Sequence, residues 1–156
     1  MITAYLVGDR EVIARLNRMP GALRGGIARA MTKLALETQR LVQQKLSGQV
    51  LNVRTGVLRS SINYHVQDNA SQVTATIGTG VKYGRFHEYG VPHSWEIKPA
   101  RANVLAFKVG GQSIFAARVI HPPLPERSFL RSALREMQPR IKAELSAAVG
   151  EAVHAA

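Results

Sequence analysis

The sequence predicts an α+β fold: an antiparallel sheet of hairpins packed against a long amphipathic helix and a C-terminal helix. Three observations carry that reading. Apolar residues recur at helical spacing from Ala22 to Leu46, a stripe of about 25 residues. Two pairs of alternating runs flank turn chemistry at Asp68-Asn69-Ala70-Ser71 and at Gly110-Gly111. The strand-like runs are grouped between helical segments instead of alternating with them, which is the segregated α+β order. At 156 residues the chain suits a single domain spanning residues 1–156, with enough length for a real core.

The elements follow in chain order. Ile2 to Gly8 alternates as a strand, and Asp9 can cap a short helix from Arg10 to Met19 that Pro20 ends. In the long helix, Leu23, Ile27, Ala30, Leu34 and Leu41 form the apolar stripe, with Met31 and Val42 widening it. Gly25-Gly26 weakens its first turns by roughly 1 kcal/mol per glycine relative to alanine, and Ser47-Gly48 is the stop signal. Gln49 to Arg59 reads as a loop. Ser61 to Gln67 and Gln72 to Gly78 form the first hairpin, Trp95 to Lys98 a short strand, and Asn103 to Val109 with Gln112 to Ile120 the second hairpin. The last helix begins in Glu126-Arg127-Ser128-Phe129-Leu130, where three prolines precede an acidic first turn. Its apolar side runs through Ala133, Leu134, Met137, Ile141, Leu145 and Val149. Pro139 should kink or split it, because the proline ring clashes with the preceding turn.

Composition narrows the function. No apolar run approaches the roughly 20 residues that a membrane helix needs, and the start, MITAYLVGDRE, does not read as a secretion signal. The chain has no cysteine, which rules out disulfides, thiolate catalysis and Cys-ligated zinc. The net charge is +11, and residues 1–60 hold ten Lys/Arg against three Asp/Glu. Such a surplus draws a protein to nucleic acid or to an acidic partner, or is simply a solvated basic surface.

The chain is organised around Val81 to Leu134, which opens with an aromatic- and glycine-rich loop and closes on the start of the last helix. Catalytic patterns are missing from it. His87, His93 and His121, with Glu88 and Glu96, lack the HExxH spacing or any comparable ligand pattern. Ser94 beside His93 is adjacency without a GxSxG turn, and Gly78-Thr79-Gly80 lacks the phosphate-loop pattern. The sequence therefore names no metal, no cofactor and no catalytic residue, and reads as a protein that is not an enzyme.

Three pieces carry a resemblance. Leu51-Asn52-Val53-Arg54-Thr55-Gly56-Val57-Leu58-Arg59-Ser60-Ser61-Ile62 leads into the first hairpin; Tyr83-Gly84-Arg85-Phe86-His87-Glu88-Tyr89-Gly90 forms the aromatic loop; Pro123-Leu124-Pro125-Glu126-Arg127-Ser128-Phe129-Leu130-Arg131-Ser132-Ala133-Leu134 starts the last helix. In that order and spacing, with the long helix ahead of them, they resemble the head-tail joining or tail-completion family of long-tailed bacteriophages and prophages. The sequence departs from the family pattern at Gly84, where alanine is usual, and at Ser128, where proline is usual. The resemblance implies a non-enzymatic virion protein, made in the bacterial host cytoplasm, that acts at the head-tail junction or the head-proximal end of the tail. It also implies a ring of six copies that docks on neighbouring neck or connector and tail-tube or tail-terminator proteins, with no membrane partner.

On that reading Tyr83, Phe86, His87, Glu88, Tyr89, Trp95, Arg127 and Phe129 are the candidate interface residues, since aromatics and arginine are enriched at interface cores. The alternative is that these rings fill the fold's own core. Arg24, Arg29, Lys33 and Arg40 are candidates to face acidic partners or DNA passing through the ring. The competing function is a basic nucleic-acid-binding module, since basic residues together with Tyr64, Tyr83, Phe86 and Trp95 are the materials of a single-strand binder. It lacks an RNP motif, a zinc finger and a helix-turn-helix.

Overall fold

The computed structural model describes residues 2–5, 21–69 and 72–154. The long amphipathic segment is helix α1, Gly21–Gln44. Its buried side carries Leu23, Ile27, Met31, Leu34, Ala35 and Val42. Thr38 is buried among them because its hydroxyl donates to the Leu34 carbonyl at 2.7 Å, which satisfies the one polar atom it brings. The helix closes in a π-helical turn, Lys45–Gln49, where Gly48 takes φ of 117°. That backbone conformation is open to glycine and unfavourable for other residues, so Ser47-Gly48 acts as the stop that the sequence indicates.

The sheet that faces α1 has three antiparallel strands in the order β1 (Ile2–Tyr5), β3 (Gln72–Thr79), β2 (Ile62–Asn69). Register pairs Ile62 with Thr79 and Val66 with Ala75. Strand periodicity therefore turns Ile62, Val66, Ala75, Ile77 and Thr79 towards the helix and Asn63, His65, Gln67 and Asn69 outwards, where they are exposed. The remaining strands form two separate ribbons. β4 (Trp95–Ile97) pairs with β7 (Val119–His121), and β5 (Leu105–Val109) pairs with β6 (Gln112–Ala116).

The C-terminal helix α4, Leu130–His154, lies along α1. Phe129, Ala133, Leu130, Ile62 and Val42 form one buried cluster, and Leu34, Met137 and Ile141 form a second between the two helices. A narrow apolar gap remains between α1, β3 and α4, bounded by Met31, Val42, Ile77, Leu134 and Ile141. Ion pairs rim the helix-helix seam: Lys33 with Glu144, Glu37 with Arg140, and Lys45 with Glu136 at 2.8 Å. The Arg140 guanidinium holds the Glu37 carboxyl below its usual range. No helix among the described residues is long and apolar enough to cross a membrane.

Several elements differ from the sequence expectation. The Val81 to Trp95 stretch is no bare loop: it contains helix α3, Gly84–Tyr89, ended by Gly90 at φ 68°. The loop before the first hairpin contains the single turn α2, Val57–Ser60. Gln112 to Ile120 does not run as one strand but breaks at Ala117-Arg118, and its second part pairs with β4. Helix α4 starts at Leu130 rather than Glu126, because the backbone before it bonds elsewhere: Leu124 bridges to Val91 and Arg127 N–H donates to the His87 carbonyl. Pro139 does not split α4. Packing of α4 on α1 on both sides of Pro139, through Met137 and Ile141, holds the helix together across the missing N–H. The helix from Arg10 to Met19, and Leu6 to Gly8 of the first strand, lie outside the described residues.

Candidate interaction surface

The three motifs singled out in the sequence meet at one place. Gly84 begins α3 against Leu58 of the first motif, Thr79 of β3 and Phe129 of the third. A Cβ at position 84 would lie 3.0 Å from Leu58 Cδ1 and 3.2 Å from Thr79 Cγ2, so the approach of α3 leaves little room for a side chain. Ser61, at the end of the first motif, ties the same corner together: its hydroxyl donates to the Leu58 carbonyl at 2.8 Å and lies 2.6 Å from Thr79 Oγ1. Thr79 Oγ1 in turn accepts from the Val81 N–H at 3.1 Å.

Glu88 is the centre of this junction. One turn after Gly84 on the inner side of α3, it is fully buried. Its carboxylate accepts from the Phe129 and Leu130 N–H groups at 2.8 and 2.9 Å, from Arg131 N–H at 2.9 Å and from Ser128 Oγ at 2.8 Å. A helix N-terminus leaves backbone N–H groups unpaired and carries partial positive charge. Glu88 thus supplies from another element the anionic cap that the sequence places in the first turn at Glu126. Arg131 completes the charge balance: Nε reaches Glu88 Oε1 at 3.2 Å, and Nη2 reaches the Glu88 carbonyl at 2.9 Å and Glu126 Oε1 at 2.8 Å.

A strap closes over the same helix. Gly90 packs so tightly on residues 124–126 that a Cβ would fall 2.7 Å from Glu126 N and 2.8 Å from Leu124 O. Val91 and Leu124 exchange backbone hydrogen bonds at 2.7 and 2.9 Å, and Arg127 N–H donates to the His87 carbonyl at 2.8 Å. The His87 imidazole is held below its ordinary value of 6.5 by burial, with the Arg127 charge adding to the effect. Its Nδ1 is buried without a hydrogen-bond partner.

The sequence-predicted interface residues divide accordingly. Phe129 and Glu88 are fully buried in the chain's own interior, where they fix the outer residues in place. Tyr83, at the N-cap of α3, and Phe86 and Tyr89, on it, project outwards and are 43%, 50% and 51% exposed. Arg131 lies over the Tyr89 ring at 4.6 Å, which stiffens that anchor. Trp95 is half-buried and stacks on His121 at 4.1 Å across the β4–β7 ribbon. Arg127 is exposed at the edge of the strap.

The basic residues of α1 do not form one free stripe. Arg24 pairs with Asp68 at the far end of β2, and Lys33 pairs with Glu144. Arg29 and Arg40 are exposed. Among the described residues, no group of three or more His, Asp or Glu is arranged to hold a metal ion.

Sequence reasoning missed Arg131 and Gly90, whose roles depend on a contact across about 40 residues that no local pattern reveals. It also passed over the outward apolar side of the second hairpin, which the alternation of Leu105, Phe107 and Val109 could have revealed.

No curated protein and no solved structure matches the chain. The family described as "Bacteriophage HK97-gp10, putative tail-component" matches residues 10–90, just over half of the chain. That stretch holds α1, the first hairpin and the first two motifs, and it ends at Gly90, immediately after α3. The chain belongs to this HK97-gp10-like family of bacteriophage tail components.

Proposed function

We propose that the chain is a virion structural protein that acts at the head-tail junction or the head-proximal end of the tail. It joins or completes the tail by self-association into a ring, six copies as the resemblance implies, and by docking on neck and tail-tube proteins, without catalysis. The single observation that supports this reading best is the α3 knob. Three large rings stand half out of the surface, Phe86 and Tyr89 on a six-residue helix and Tyr83 immediately before it, and the helix's other side is locked by a buried carboxylate. A rigid aromatic projection of this kind is costly for a chain working alone and is the usual anchor of a protein interface.

Of the four basic residues of α1 expected to meet acidic partner surfaces or passing DNA, Arg24 and Lys33 are paired with Asp68 and Glu144, while Arg29 and Arg40 are exposed with no ion pair to the described residues. Their exposure also favours the second reading, a basic nucleic-acid-binding module. The two are separated by salt: a dedicated DNA binder binds free duplex or single strands with a steep salt slope, whereas a joining protein binds little free DNA. The deciding experiment is the position of the tagged protein in purified particles. Labelled density at the upper end of the tail is the expected result, and absence from finished particles would overturn the proposal.

A further inference from the structure

Helix α3 turns Gly84 and Glu88 inwards, where both are buried, and so turns Phe86 and Tyr89 to the opposite side. Lys82, in the turn before the helix, and Arg85 on it are exposed beside those rings. Arg127 of the strap is exposed next to the same helix, since its N–H donates to the His87 carbonyl. None of these three cations has an ion pair among the described residues. The two carboxylates of this corner are already engaged: Glu88 caps α4 from inside, and Glu126 pairs with Arg131 at 2.8 Å. The shortage extends over the chain. Among the described residues, every Asp and Glu except Glu151 pairs with a Lys or Arg of the same copy. Residues 6–20 add Asp9 and Glu11, but also Arg10, Arg15 and Arg18.

We infer that the outward side of α3 docks on a carboxylate-rich surface of a different protein, with Phe86 and Tyr89 at the centre and Lys82, Arg85 and Arg127 paired to acidic side chains around them. This rests on the tail reading above and names the chemistry of one docking partner. Covering the rings brings the neighbouring cations into the contact, and a cation stripped of water without a counter-charge costs more than the rings return. A neutral or basic surface is therefore excluded by its cost. A second copy is excluded as well: with 21 Lys and Arg against 10 Asp and Glu, it has no carboxylates to spare for this face. A protein fits better than a nucleic acid. Single-strand binders place their rings along a basic groove, whereas Phe86 and Tyr89 ride the outside of a helix and the apolar gap lies elsewhere, between α1, β3 and α4. The half-exposed carboxylate of Glu126, held at the same corner by Arg131, would also face a phosphate strand with like charge.

Lys82 makes the test direct. Carbodiimide activates a carboxylate and joins it by an amide bond to a lysine amine in contact with it, adding no spacer. In purified particles treated this way, mass spectrometry should find the Lys82 peptide joined to an Asp or Glu of a different particle protein. In parallel, the full-length chain is titrated with poly-L-glutamate. Arg85→Glu should weaken that binding by about 10-fold or more. Lys142→Glu, the same charge change at an exposed position of α4, should weaken it by less than about 2-fold. The contact is overturned if Lys82 links to a second copy of this chain, or stays unlinked in particles where other lysines of the chain are linked. Equal losses in the two variants overturn it too. So does tighter binding of oligothymidylate than of poly-L-glutamate through Arg85, which makes the partner a nucleic acid. A chain present in particles with Lys82 unlinked removes this contact and leaves the tail reading standing. A chain absent from particles removes the tail reading, and the comparison of Arg85→Glu with Lys142→Glu then decides the acidic contact by itself.

Discussion

Glu88 and Leu130 are 42 residues apart in sequence, yet Oε2 of the first accepts a 2.9 Å hydrogen bond from the backbone N–H of the second. The same carboxylate takes the neighbouring N–H of Phe129, so one side chain of α3 caps the helix that follows two ribbons later. This joins the knob to the C-terminal helix as a single rigid unit.

Removing that carboxylate should be costly. Glu88→Ala leaves the N–H groups of Phe129, Leu130 and Arg131 and the hydroxyl of Ser128 without their acceptor in a dry site. A loss of about 3–5 kcal/mol in urea unfolding is expected. Arg131→Ala, at a side chain that is 44% exposed, should lose only about 1–2 kcal/mol.

Gly90→Ala should destabilise more than Gly110→Ala. Both glycines have positive φ, at 68° and 57°. At position 110 nothing stands near the added Cβ, so only the backbone term of roughly 1 kcal/mol applies. At position 90 the Cβ meets the backbone of Leu124 and Glu126, which must move. Hydrogen exchange at the Val91 and Leu124 amides should accelerate in Gly90→Ala and stay unchanged in Gly110→Ala.

Gly84→Ala sets two effects against each other. Alanine favours the helix by roughly 1 kcal/mol, and its Cβ crowds Leu58 Cδ1 and Thr79 Cγ2. Thermal unfolding should show the two variants Gly84→Ala and Leu58→Val to be non-additive, with Gly84→Ala better tolerated when position 58 is Val.

Stability should fall on mild acidification. Because burial and Arg127 depress the His87 value, the unfolded chain takes up a proton there before the folded one does. The contribution is therefore fully present above about pH 6.5 and is lost as pH falls through the lower folded value. Replacing His87 with Gln should flatten that part of a stability-against-pH curve measured by chemical unfolding.

The sequence made α1, the first hairpin and the apolar side of α4 readable, because each is a periodic pattern repeated several times over one face. Helix α3 escaped because a glycine and a charged residue, Gly84 and Glu88, occupy the inward positions that apolar residues usually mark. The start of α4 was misjudged for the matching reason: its cap comes from a distant element, and Glu126 points instead to Arg131. Tyr83, Phe86 and Tyr89 were recognised from residue type, but whether they fill the core or stand outside it depended on which side of α3 the sheet covers. Continuity of α4 through Pro139 was likewise beyond local rules, since packing on α1 decides it.

The way Glu88 is held also limits where this polypeptide can be divided. A chain cut after Gly90 would keep the carboxylate and lose every donor it has, stranding a negative charge in an oily interior. Fragments that end there should be insoluble or unfolded, and supplying residues 123–154 as a separate peptide should restore them.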